Sequence, residues 1–527
     1  MTVRHVYVDF GAVRIQQYLT RTPGLRGHRA ASNSLARATA EAAIARVAEG
    51  LAEINPEAGT ADGVISLRMP ATETAGDDPA ERVRRLQDRV FAHLRSVLPG
   101  AEFHSVWGEG ESYLAVHAHV LQPRLRRGRV RHDLPPVAEF PLAVPCRMCH
   151  IDPAVGSEPV PDGKLALCLD CSMRNVPRSQ TVADPLTPEG QLLREIGLKP
   201  APEDFAGLAA LGSSESGGNH LATVAVDGNA FGAFFTALAD ESAGDARLRG
   251  AKATISAALS AATRSALAHA ALELPLTVEH ERLCLVPHVV GGDDVLVSLP
   301  AEQAWRFTLT FLAEFTRLVR QETGEVLDRL NRLRRNRPEQ PELEAPTASA
   351  GIVFAHASHP MNLLVESAGQ RLSEAKRAFG GRMASVQWLD ITADGPEPPA
   401  HPPLALSVLH PSTASAGGTG GGDGRAVTGA AEALSRLTVV PASHRARLTE
   451  AVRAHGPLTA AALADRVGHL PAIQPFLPLP GPLNGPFPSG AEAQSDTEPP
   501  GSFGGKLPVS GIGLEAALNL ARWWPCA

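Results

Sequence analysis

One order of local patterns occurs twice in this 527-residue chain, and that repetition limits the possible folds more than any single motif does. The first copy opens with HVYVDFGAVRIQQYL, which predicts a strand ending at Asp9-Phe10-Gly11 and an amphipathic helix directly after it. The second copy opens with HLATVAVDGNAFGAFFTAL, which predicts a strand, a corner at Asp227-Gly228 and a helix. Two such units about a domain apart indicate a duplicated architecture.

A hairpin is expected in each copy. In the first copy, FHSVWGEGESYLAVHAHV predicts a strand, a Gly-Glu-Gly-Glu turn and a second strand. In the second, VPHVVGGDDVLVS predicts a two-residue turn in which Gly291 and Gly292 supply the positive φ angles. Only the second hairpin carries two adjacent acids, Asp293 and Asp294. We therefore expect one active copy and one degenerate copy.

The remainder of the second copy completes the pattern of elements. A long amphipathic helix follows the hairpin, TASAGIVFAH predicts a strand, and Pro360 starts a helix that Gly380 closes. ASVQWLDI predicts the last strand. The sequence strand, helix, hairpin, helix, strand, helix, strand is typical of an antiparallel α+β palm and not of a doubly wound parallel sheet.

The fold class predicted from these patterns is α+β. It consists of two ferredoxin-like palm (nucleotidyl cyclase) domains, an inserted zinc-binding segment and a helical C-terminal domain. The Pro/Gly-rich segments PEPPAHPP and ASAGGTGGGDG mark the change of composition after the second palm. We predict four parts. Residues 1–140 form a first, degenerate palm, and residues 141–218 form the zinc segment with its connector. Residues 219–395 form a catalytic palm with the GGDD hairpin, and residues 396–527 form a helical domain with Pro/Gly-rich loops.

Four of the six cysteines form two CxxC pairs, Cys146/Cys149 and Cys168/Cys171. The 18 residues between the pairs, 150 to 167, are a normal spacing for a four-thiolate zinc ribbon or knuckle. A redox dithiol would need only one CxxC. Because four thiolates already fill a tetrahedral shell, we expect one structural Zn²⁺ and no catalytic zinc.

The acids of the second copy predict a metal site. Asp227 ends a strand that lies beside the hairpin in a palm sheet, so its carboxylate and that of Asp293 converge and repel each other unless a cation binds. Mg²⁺ prefers carboxylate oxygens and accepts substrate phosphates, and two such ions about 3.5–4 Å apart serve nucleotidyl transfer. The period-two pattern of a strand makes us expect the Asp294 side chain to point away. The competing interpretation is an ordinary Gly-Gly-Asp turn with an exposed edge residue.

Composition limits the class of protein. Hydrophobic residues make up 44% of the chain and charged residues 20%, which is typical of globular proteins with large cores. A net charge of −7 argues against a general nucleic-acid-coating protein. The sequence has neither an uncharged apolar stretch of 18 residues nor a signal-peptide pattern, so we expect a cytoplasmic protein without membrane contact.

These parts together resemble one family, the large polymerase-and-cyclase subunit of type III CRISPR effector complexes. The family is built as palm, zinc-containing domain, second palm and helical domain. The resemblance extends over most of residues 1 to 391. It rests on VDFGAVRIQQYL, LRGHRAASNSL (25–35), the cysteine tetrad, VAVDGNAFG, the GGDD hairpin and SAGIVFAH…P…SEAK (349–376).

The resemblance implies an antiviral defence subunit that makes cyclic oligoadenylates from ATP when its complex recognises target RNA. It implies two Mg²⁺ or Mn²⁺ ions on Asp227 and Asp293, with Asp294 beside them as a third catalytic residue. It also implies partner protein subunits and a guide RNA. The residues assigned to the cofactor and nucleotide are Gly228, Asn229, Gly291, Gly292 and Lys376, with Lys376 meeting the triphosphate.

The sequence departs from the family at two points. Asn229 and Ala230 stand where the family usually has a second acid after the Asp-Gly corner. The palm pattern begins at residue 3, so we expect no N-terminal His-Asp nuclease domain. Two other functions stay open: a free-standing cyclase that makes a cyclic dinucleotide, and a catalytically silent scaffold subunit.

Overall fold

The computed structural model describes most of the chain and divides it into two compact units, Met1–Glu397 and Pro398–Ala527. The mixed α+β architecture with two sheets of palm type and a helical C-terminal part confirms the predicted fold class. The described residues are 4–59, 64–70, 78–135, 144–160, 163–175, 184–212, 219–242, 244–245, 247–248, 250–335, 337, 339–397, 401–409, 425–478 and 511–524.

The first palm is a five-stranded sheet covered by helices. Its strands are β1 (His5–Val13), β2 (Glu53–Ile54), β3 (Val64–Pro70), β4 (Glu102–Gly110) and β5 (Arg131–Asp133), in the order β2-β3-β1-β4-β5. Its helices are α1 (Ile15–Leu19), α2 (Leu25–Thr39), α3 (Glu41–Ala48), α4 (Pro79–Val97), α5 (Tyr113–Val116), a π-helical turn (His117–Leu121) and α6 (Gln122–Arg126). The sheet and helices enclose one apolar core, in which Phe10 packs edge-on against Phe91.

The hairpin predicted near residue 110 of the first palm is wrong. After β4 the chain turns into α5 and the π-helical turn, because Tyr113, Leu114, Val116 and Leu121 are buried and recur at helical rather than alternating spacing. The sheet order identifies a different counterpart of the second palm's hairpin. A ferredoxin-like sheet has the strand order 4-1-3-2, and β4, β1, β3 and β2 follow this order. Its strands 2 and 3 form a hairpin, so the counterpart in the first palm is the β2–β3 hairpin.

The predicted end of the first strand is also wrong. Strand β1 continues past Asp9 to Val13, so Asp9 lies within the sheet, opposite Ser66 on β3 and Val106 on β4. The corner falls at Arg14, which has a left-handed φ of 50°. The sequence Asp9-Phe10-Gly11 looks the same whether the strand stops there or continues. Pairing with β3 and β4 determines how far the strand extends.

The zinc segment and connector follow the first palm. Their elements are β6 (Gly156–Val160), β7 (Gly163–Leu167), α7 (Leu169–Arg174), α8 (Pro188–Ile196) and α9 (Phe205–Ala209). Strands β6 and β7 form a two-stranded antiparallel hairpin. Cys168 caps the N-terminus of α7, and its sulfur accepts a hydrogen bond from the N–H of Cys171. The second CxxC pair therefore sits on the first turn of a helix.

The second palm has the βαββαβ order, with three helices between its first two strands and a further helix, strand and short helix at its end. Its strands are β8 (His220–Asn229), β9 (Val286–Gly291), β10 (Asp294–Pro300), β11 (Thr347–His356) and β12 (Ser385–Asp390). Its helices are α10 (Phe231–Ser242), α11 (Ala251–Leu272), α12 (Pro275–His280), a 3₁₀ turn (Ala301–Gln303), α13 (Ala304–Arg334), α14 (Met361–Ala378) and α15 (Ile391–Asp394). Within the first unit the strands run β12-β11-β8-β10-β9, and only β11 and β12 pair in parallel.

A close helix–sheet contact sets the position of α14 over β11. A Cβ atom at Gly351 would lie 2.1 Å from the carbonyl oxygen of Ala368, so only glycine permits this approach. Trp305 and Trp388 pack edge-on in the core, with ring centroids 5.3 Å apart. The contact at Gly351 brings the C-terminal end of α14 next to the end of β8, where the candidate site lies.

The second unit is predominantly helical. Its elements are β13 (Leu404–Ala405), α16 (Leu406–Leu409), α17 (Arg425–Thr438), α18 (Ala442–His455), α19 (Pro457–Arg466), α20 (Leu470–Ile473), a 3₁₀ turn (Gln474–Phe476) and α21 (Leu514–Trp523). The segment ASAGGTGGGDG lies outside the described residues, as do most of the Pro/Gly-rich stretch before α21 and residues 398–400 of PEPPAHPP. None of the helices in the described part of the chain has the length and apolarity needed to cross a membrane.

Candidate active site on the second palm

The site is formed where β8 ends beside the turn between β9 and β10. Val226 on β8 pairs with Val295 on β10, and the next residue of each strand toward the turn is Asp227 and Asp294, respectively. Asp294 also pairs with Gly291 on β9, so the turn consists of Gly292 and Asp293 alone. The tertiary structure therefore brings the three predicted acids to one end of the sheet.

The turn differs in detail from the prediction. Gly292 has a φ of 60°, but Gly291 belongs to the strand and is not among the residues with positive φ. Asp293 is not among them either, which excludes a type I′ turn and leaves Gly at the first position, as in type II′. Pairing of Gly291 with Asp294 moves the turn one residue further along the chain than the Gly-Gly pattern suggests.

Gly228 is required by the close approach of the turn. A Cβ atom at this position would lie 2.3 Å from Oδ2 of Asp293 and 2.5 Å from the ring of Phe231. The backbone of Gly228 also hydrogen-bonds the Asp293 carboxylate, as does the backbone of Asp293 itself. The glycine therefore lets the main chain of β8 hold the carboxylate directly.

The three carboxylates repel one another. Burial and the neighbouring charge of Asp227 raise the pKa of Asp293 to about 6. The pKa of Asp294 is raised too, by loss of hydration and then by Asp227 and Asp293, although the residue keeps solvent contact. Asp294 shares a side-chain hydrogen bond with Asp227, so the expectation that it points away is not met.

Lys376 supplies a positive charge to this group. Its ammonium group forms an ion pair with Asp227, and Nζ donates a hydrogen bond to the carbonyl oxygen of Gly228 at 2.7 Å. The residue lies in the last turn of α14, 149 positions from Asp227 in the sequence. Lys376 therefore contacts the corner residues directly, and the side chain of Asp227 remains 38% exposed on the open side.

Asn229 is placed differently from the acids. Its side chain is 1% exposed, and its amide nitrogen lies 2.9–3.0 Å from Thr347 Oγ1, Ser349 Oγ and the carbonyl oxygen of Met383. Only the Met383 carbonyl is an obligate acceptor; the two hydroxyls can also donate, as Ser349 Oγ does to Asn229 Oδ1 at 3.3 Å. The amide therefore ties β8 to β11 and to the segment before β12, and an ionised acid at position 229 would lose the bond to Met383.

One contact to the turn was not anticipated from the sequence. The hydroxyl of Thr263, within the Ala-rich helix α11, donates a hydrogen bond to the carbonyl oxygen of Gly292 at 2.5 Å. Thr263 is fully buried. A threonine in an apolar helix carries no sequence signal for such a role, because the turn that it contacts lies 29 residues away.

The donor set of the acids fits a divalent cation. Asp227, Asp293 and Asp294 lie together at this end of the sheet, where burial and the neighbouring charge of Asp227 raise the pKa of Asp293. Hard cations such as Mg²⁺ and Mn²⁺ take oxygen ligands of this kind. Asp227 and Asp293 could hold such a cation.

The four predicted zinc ligands form a buried cluster. The sulfur atoms of Cys146, Cys149, Cys168 and Cys171 all lie within 4.8 Å of one another, and those of Cys149 and Cys168 are 3.8 Å apart. Sulfurs bound to a tetrahedral zinc at about 2.3 Å are separated by about 3.8 Å. The cluster therefore has the size and chemistry that a zinc ion requires.

The comparisons with known proteins agree with this fold. Residues 220–384 match the model of the Cas10/Cmr2 second palm domain. Among curated proteins, no sequence matches the chain. A solved Csm1-Csm4 cassette in complex with one ATP is similar over 99% of this chain and 70% of the solved chain, with a TM-score of 0.53 and 13% identity. The same cassette in complex with cA3 gives a TM-score of 0.52 at 13% identity, over 99% and 70% of the two chains.

Other matches cover less of the solved chains. The chain spans about half the length, 54%, of the solved chain of a Csm1-Csm4 cassette in complex with cA4; that match covers 73% of this chain, at 14% identity and a TM-score of 0.42. These identities establish similarity of fold. The palm geometry and the match over residues 220–384 lead to one conclusion: this part of the chain is a second palm domain of the Cas10/Cmr2 family.

Proposed function

We propose that the second palm is a metal-dependent nucleotidyltransferase that makes cyclic oligoadenylates from ATP within a type III CRISPR effector complex. The observation that carries the proposal is the convergence of Asp227, Asp293 and Asp294 at one end of a Cas10/Cmr2-type palm. Three carboxylates in one place are unfavourable for stability, and a function that needs divalent cations accounts for them.

Each residue has a separate task in this proposal. Asp227 and Asp293 hold two Mg²⁺ or Mn²⁺ ions, which would activate the 3′-hydroxyl and stabilise charge on the α-phosphate. Gly228 gives its backbone to Asp293, and Gly291 and Gly292 shape the turn. Asp294 keeps its proton to higher pH than an ordinary aspartate and shares a hydrogen bond with Asp227.

Lys376 is the residue most able to contact a triphosphate. Its ammonium group neutralises Asp227 in this structure, and its side chain remains partly exposed. When cations occupy the carboxylates, the ammonium group is free to donate hydrogen bonds to phosphate oxygens instead. Asn229 acts on the nucleotide only indirectly in this scheme, because its amide is bonded to β11 and to Met383.

The solved relatives support the substrate and partners that we propose. The Csm1-Csm4 cassettes similar to this chain were solved with ATP and with cA3. Another similar structure is a Csm1-Csm4 subcomplex of the type III-A CRISPR-Csm interference complex, with a TM-score of 0.50. We propose partner protein subunits, a guide RNA, a target RNA and a cytoplasmic location for this chain on the same basis, together with a structural Zn²⁺ on the four cysteines.

The decisive experiment measures nucleotide synthesis by the assembled complex. The protein is purified with its partner subunits and guide RNA and given matching target RNA, ATP and Mg²⁺ or Mn²⁺, and the products are separated. We expect cyclic oligoadenylates, and a loss of several orders of magnitude in rate for Asp227→Ala and Asp293→Ala. Asp328→Ala, on the exposed side of α13, is the matched control and should retain activity.

The other functions predict different outcomes. A free-standing cyclase would make a cyclic dinucleotide without partner subunits or target RNA. A silent scaffold would make no product from any of the four triphosphates, even in the assembled complex. An active Asp293→Ala complex would contradict the assignment of the site.

A further inference from the structure

Helix α11 contacts the hairpin loops of both palms. Near its start, Nζ of Lys252 donates a hydrogen bond to the carbonyl oxygen of Ala58, in the loop that follows β2. A Cβ atom at Gly59 would lie 3.0 Å from the carbonyl oxygen of Ala253, so helix and loop are in close contact. This loop belongs to the β2–β3 hairpin, which is the topological counterpart of the GGDD hairpin.

Lys252 anchors the helix in the first palm. The side chain is 9% exposed, and its ammonium group lies 4.9 Å from the ring centroid of Tyr113 and 5.7 Å from that of Phe235. Burial lowers the pKa of Lys252 to about 8, while the charge of Asp9 acts in the opposite direction. A buried ammonium group held by a carbonyl and two rings, with the charge of a carboxylate nearby, fixes the start of α11 relative to the first palm.

The same helix holds the catalytic turn. Thr263 lies 11 residues after Lys252, which is about 16 Å along a helix axis. Its hydroxyl contacts the carbonyl oxygen of Gly292 at 2.5 Å and that of Leu259, in its own helix, at 3.0 Å. The Gly292 carbonyl belongs to the peptide that links Gly292 to Asp293, so this bond orients the residue that presents a carboxylate to the site.

We propose that Thr263 is a positioning residue for the Gly292–Asp293 turn, and that α11 sets this turn relative to the first palm. The proposal rests on the function proposed above. Without the hydroxyl, the Gly292 peptide loses its donor from α11 and rotates more freely. The Asp293 carboxylate then spends less time against the backbone of Gly228, where Asp227 can share a cation with it. Such misplacement lowers kcat more than it raises KM for ATP.

Two variants separate the hydroxyl from the bulk of Thr263. Thr263→Val removes the hydroxyl and keeps the shape, and Thr263→Ser keeps the hydroxyl. In the assembled complex we expect Thr263→Val to speed hydrogen exchange of the amides in residues 286–300 and to lower kcat about tenfold or more, with KM for ATP within about twofold. Thr263→Ser should restore both. Wild-type exchange and kcat in Thr263→Val would overturn the proposal.

A third variant tests the link to the first palm. Lys252→Met keeps much of the packing and removes the ammonium group. We expect faster exchange both in residues 52–59 and in residues 286–300. A change confined to residues 52–59 would overturn transmission through α11. Exchange does not depend on turnover, so a complex that makes no product but shows these changes would overturn the proposed function and leave the positioning role supported.

Discussion

At the scale of single residues, the site keeps an energetically unfavourable group of carboxylates in place. The carboxylate of Asp293 is hydrogen-bonded by the backbone of β8 and repelled by the charge of Asp227. The ammonium group of Lys376 forms an ion pair with Asp227. A folded-state pKa above the unfolded value means that the folded protein binds the proton more tightly. The ionised carboxylate therefore lowers stability, and this loss develops as the pH rises from about 3.8 to about 6.

We predict that Asp293→Asn stabilises the metal-free protein while abolishing synthesis. Above pH 6 the free energy of unfolding should rise by about 1–2 kcal/mol, because the substitution removes a crowded charge. The gain should shrink below pH 6 and disappear near pH 3.8, where the wild-type carboxyl is protonated. Urea unfolding at several pH values with a chelator present measures this.

The control for this prediction is the divalent cation itself. Added Mn²⁺ should stabilise the wild-type protein and have much less effect on Asp293→Asn, since ligand binding to the folded state raises stability. Equal stabilisation of the two proteins by Mn²⁺ would show that the cation binds elsewhere.

At the scale of elements, the zinc segment is joined to the first palm by a buried polar network. Asp170, between the cysteines of the second CxxC pair, accepts hydrogen bonds from the hydroxyl of Tyr18 at 2.7 Å and from the N–H of Gly100 at 3.2 Å. It also forms ion pairs with Arg174 and Arg21. Arg174 in turn lies over the Tyr18 ring, 4.3 Å from its centroid. The turn that carries the second CxxC pair therefore contacts α1, the helix that follows β1, directly.

We predict that Cys146→Ser removes zinc and loosens this part of the molecule. Structural zinc contributes about 10 kcal/mol to folding such a segment, so the unfolding temperature should fall by about 10 °C or more. Metal analysis should find about one equivalent of zinc in the wild-type protein and much less in the variant. Cys284→Ser, which changes a buried cysteine outside the tetrad, should keep its zinc. Wild-type protein without zinc and with freely titratable thiols would contradict the prediction.

At the scale of the whole molecule, the two palms share a topology but differ at the positions that carry chemistry. Each first strand is followed by a residue with a left-handed φ, Arg14 in the first palm and Ala230 in the second. Asp227 lies three residues before Ala230, and Gly11 lies three residues before Arg14. Gly11 therefore occupies the position in the first palm that corresponds to Asp227 in the second. Asp9 lies inside the sheet instead, where Ser66 and Tyr113 donate hydrogen bonds to its carboxylate.

We predict that the first palm is catalytically silent. Asp9→Asn, which preserves the shape of the side chain, should leave nucleotide synthesis within about threefold of wild type. It should not lower thermal stability, because burial raises the pKa of Asp9 and the ionised carboxylate therefore already lowers the stability of the folded protein. Synthesis by the assembled complex and thermal unfolding are measured on the same preparation. Loss of turnover in a folded, assembled Asp9→Asn complex would contradict this assignment.

Much of the second palm and the cysteine cluster could be predicted from the sequence, because their signals are local. Each signal is complete within about 30 residues: an apolar run ended by Asp227-Gly228, a Gly-Gly pair followed by two acids, and two CxxC pairs at zinc spacing. Backbone conformation and ligand geometry over such distances follow mainly from residue type and spacing. The α+β class and the grouping of the cysteines were predicted on this basis and are observed.

The remaining features were decided by tertiary structure alone. The ion pair of Lys376 with Asp227 joins residues 149 positions apart, and Asp9 became an interior residue because β3 and β4 flank β1 along its length. The first palm's hairpin counterpart and the contact of Thr263 with Gly292 also appear only once sheets and helices are packed. Local propensity and periodicity limit which element a segment forms. Which elements become neighbours depends on packing across the whole fold, and that packing determines where each side chain's partners lie.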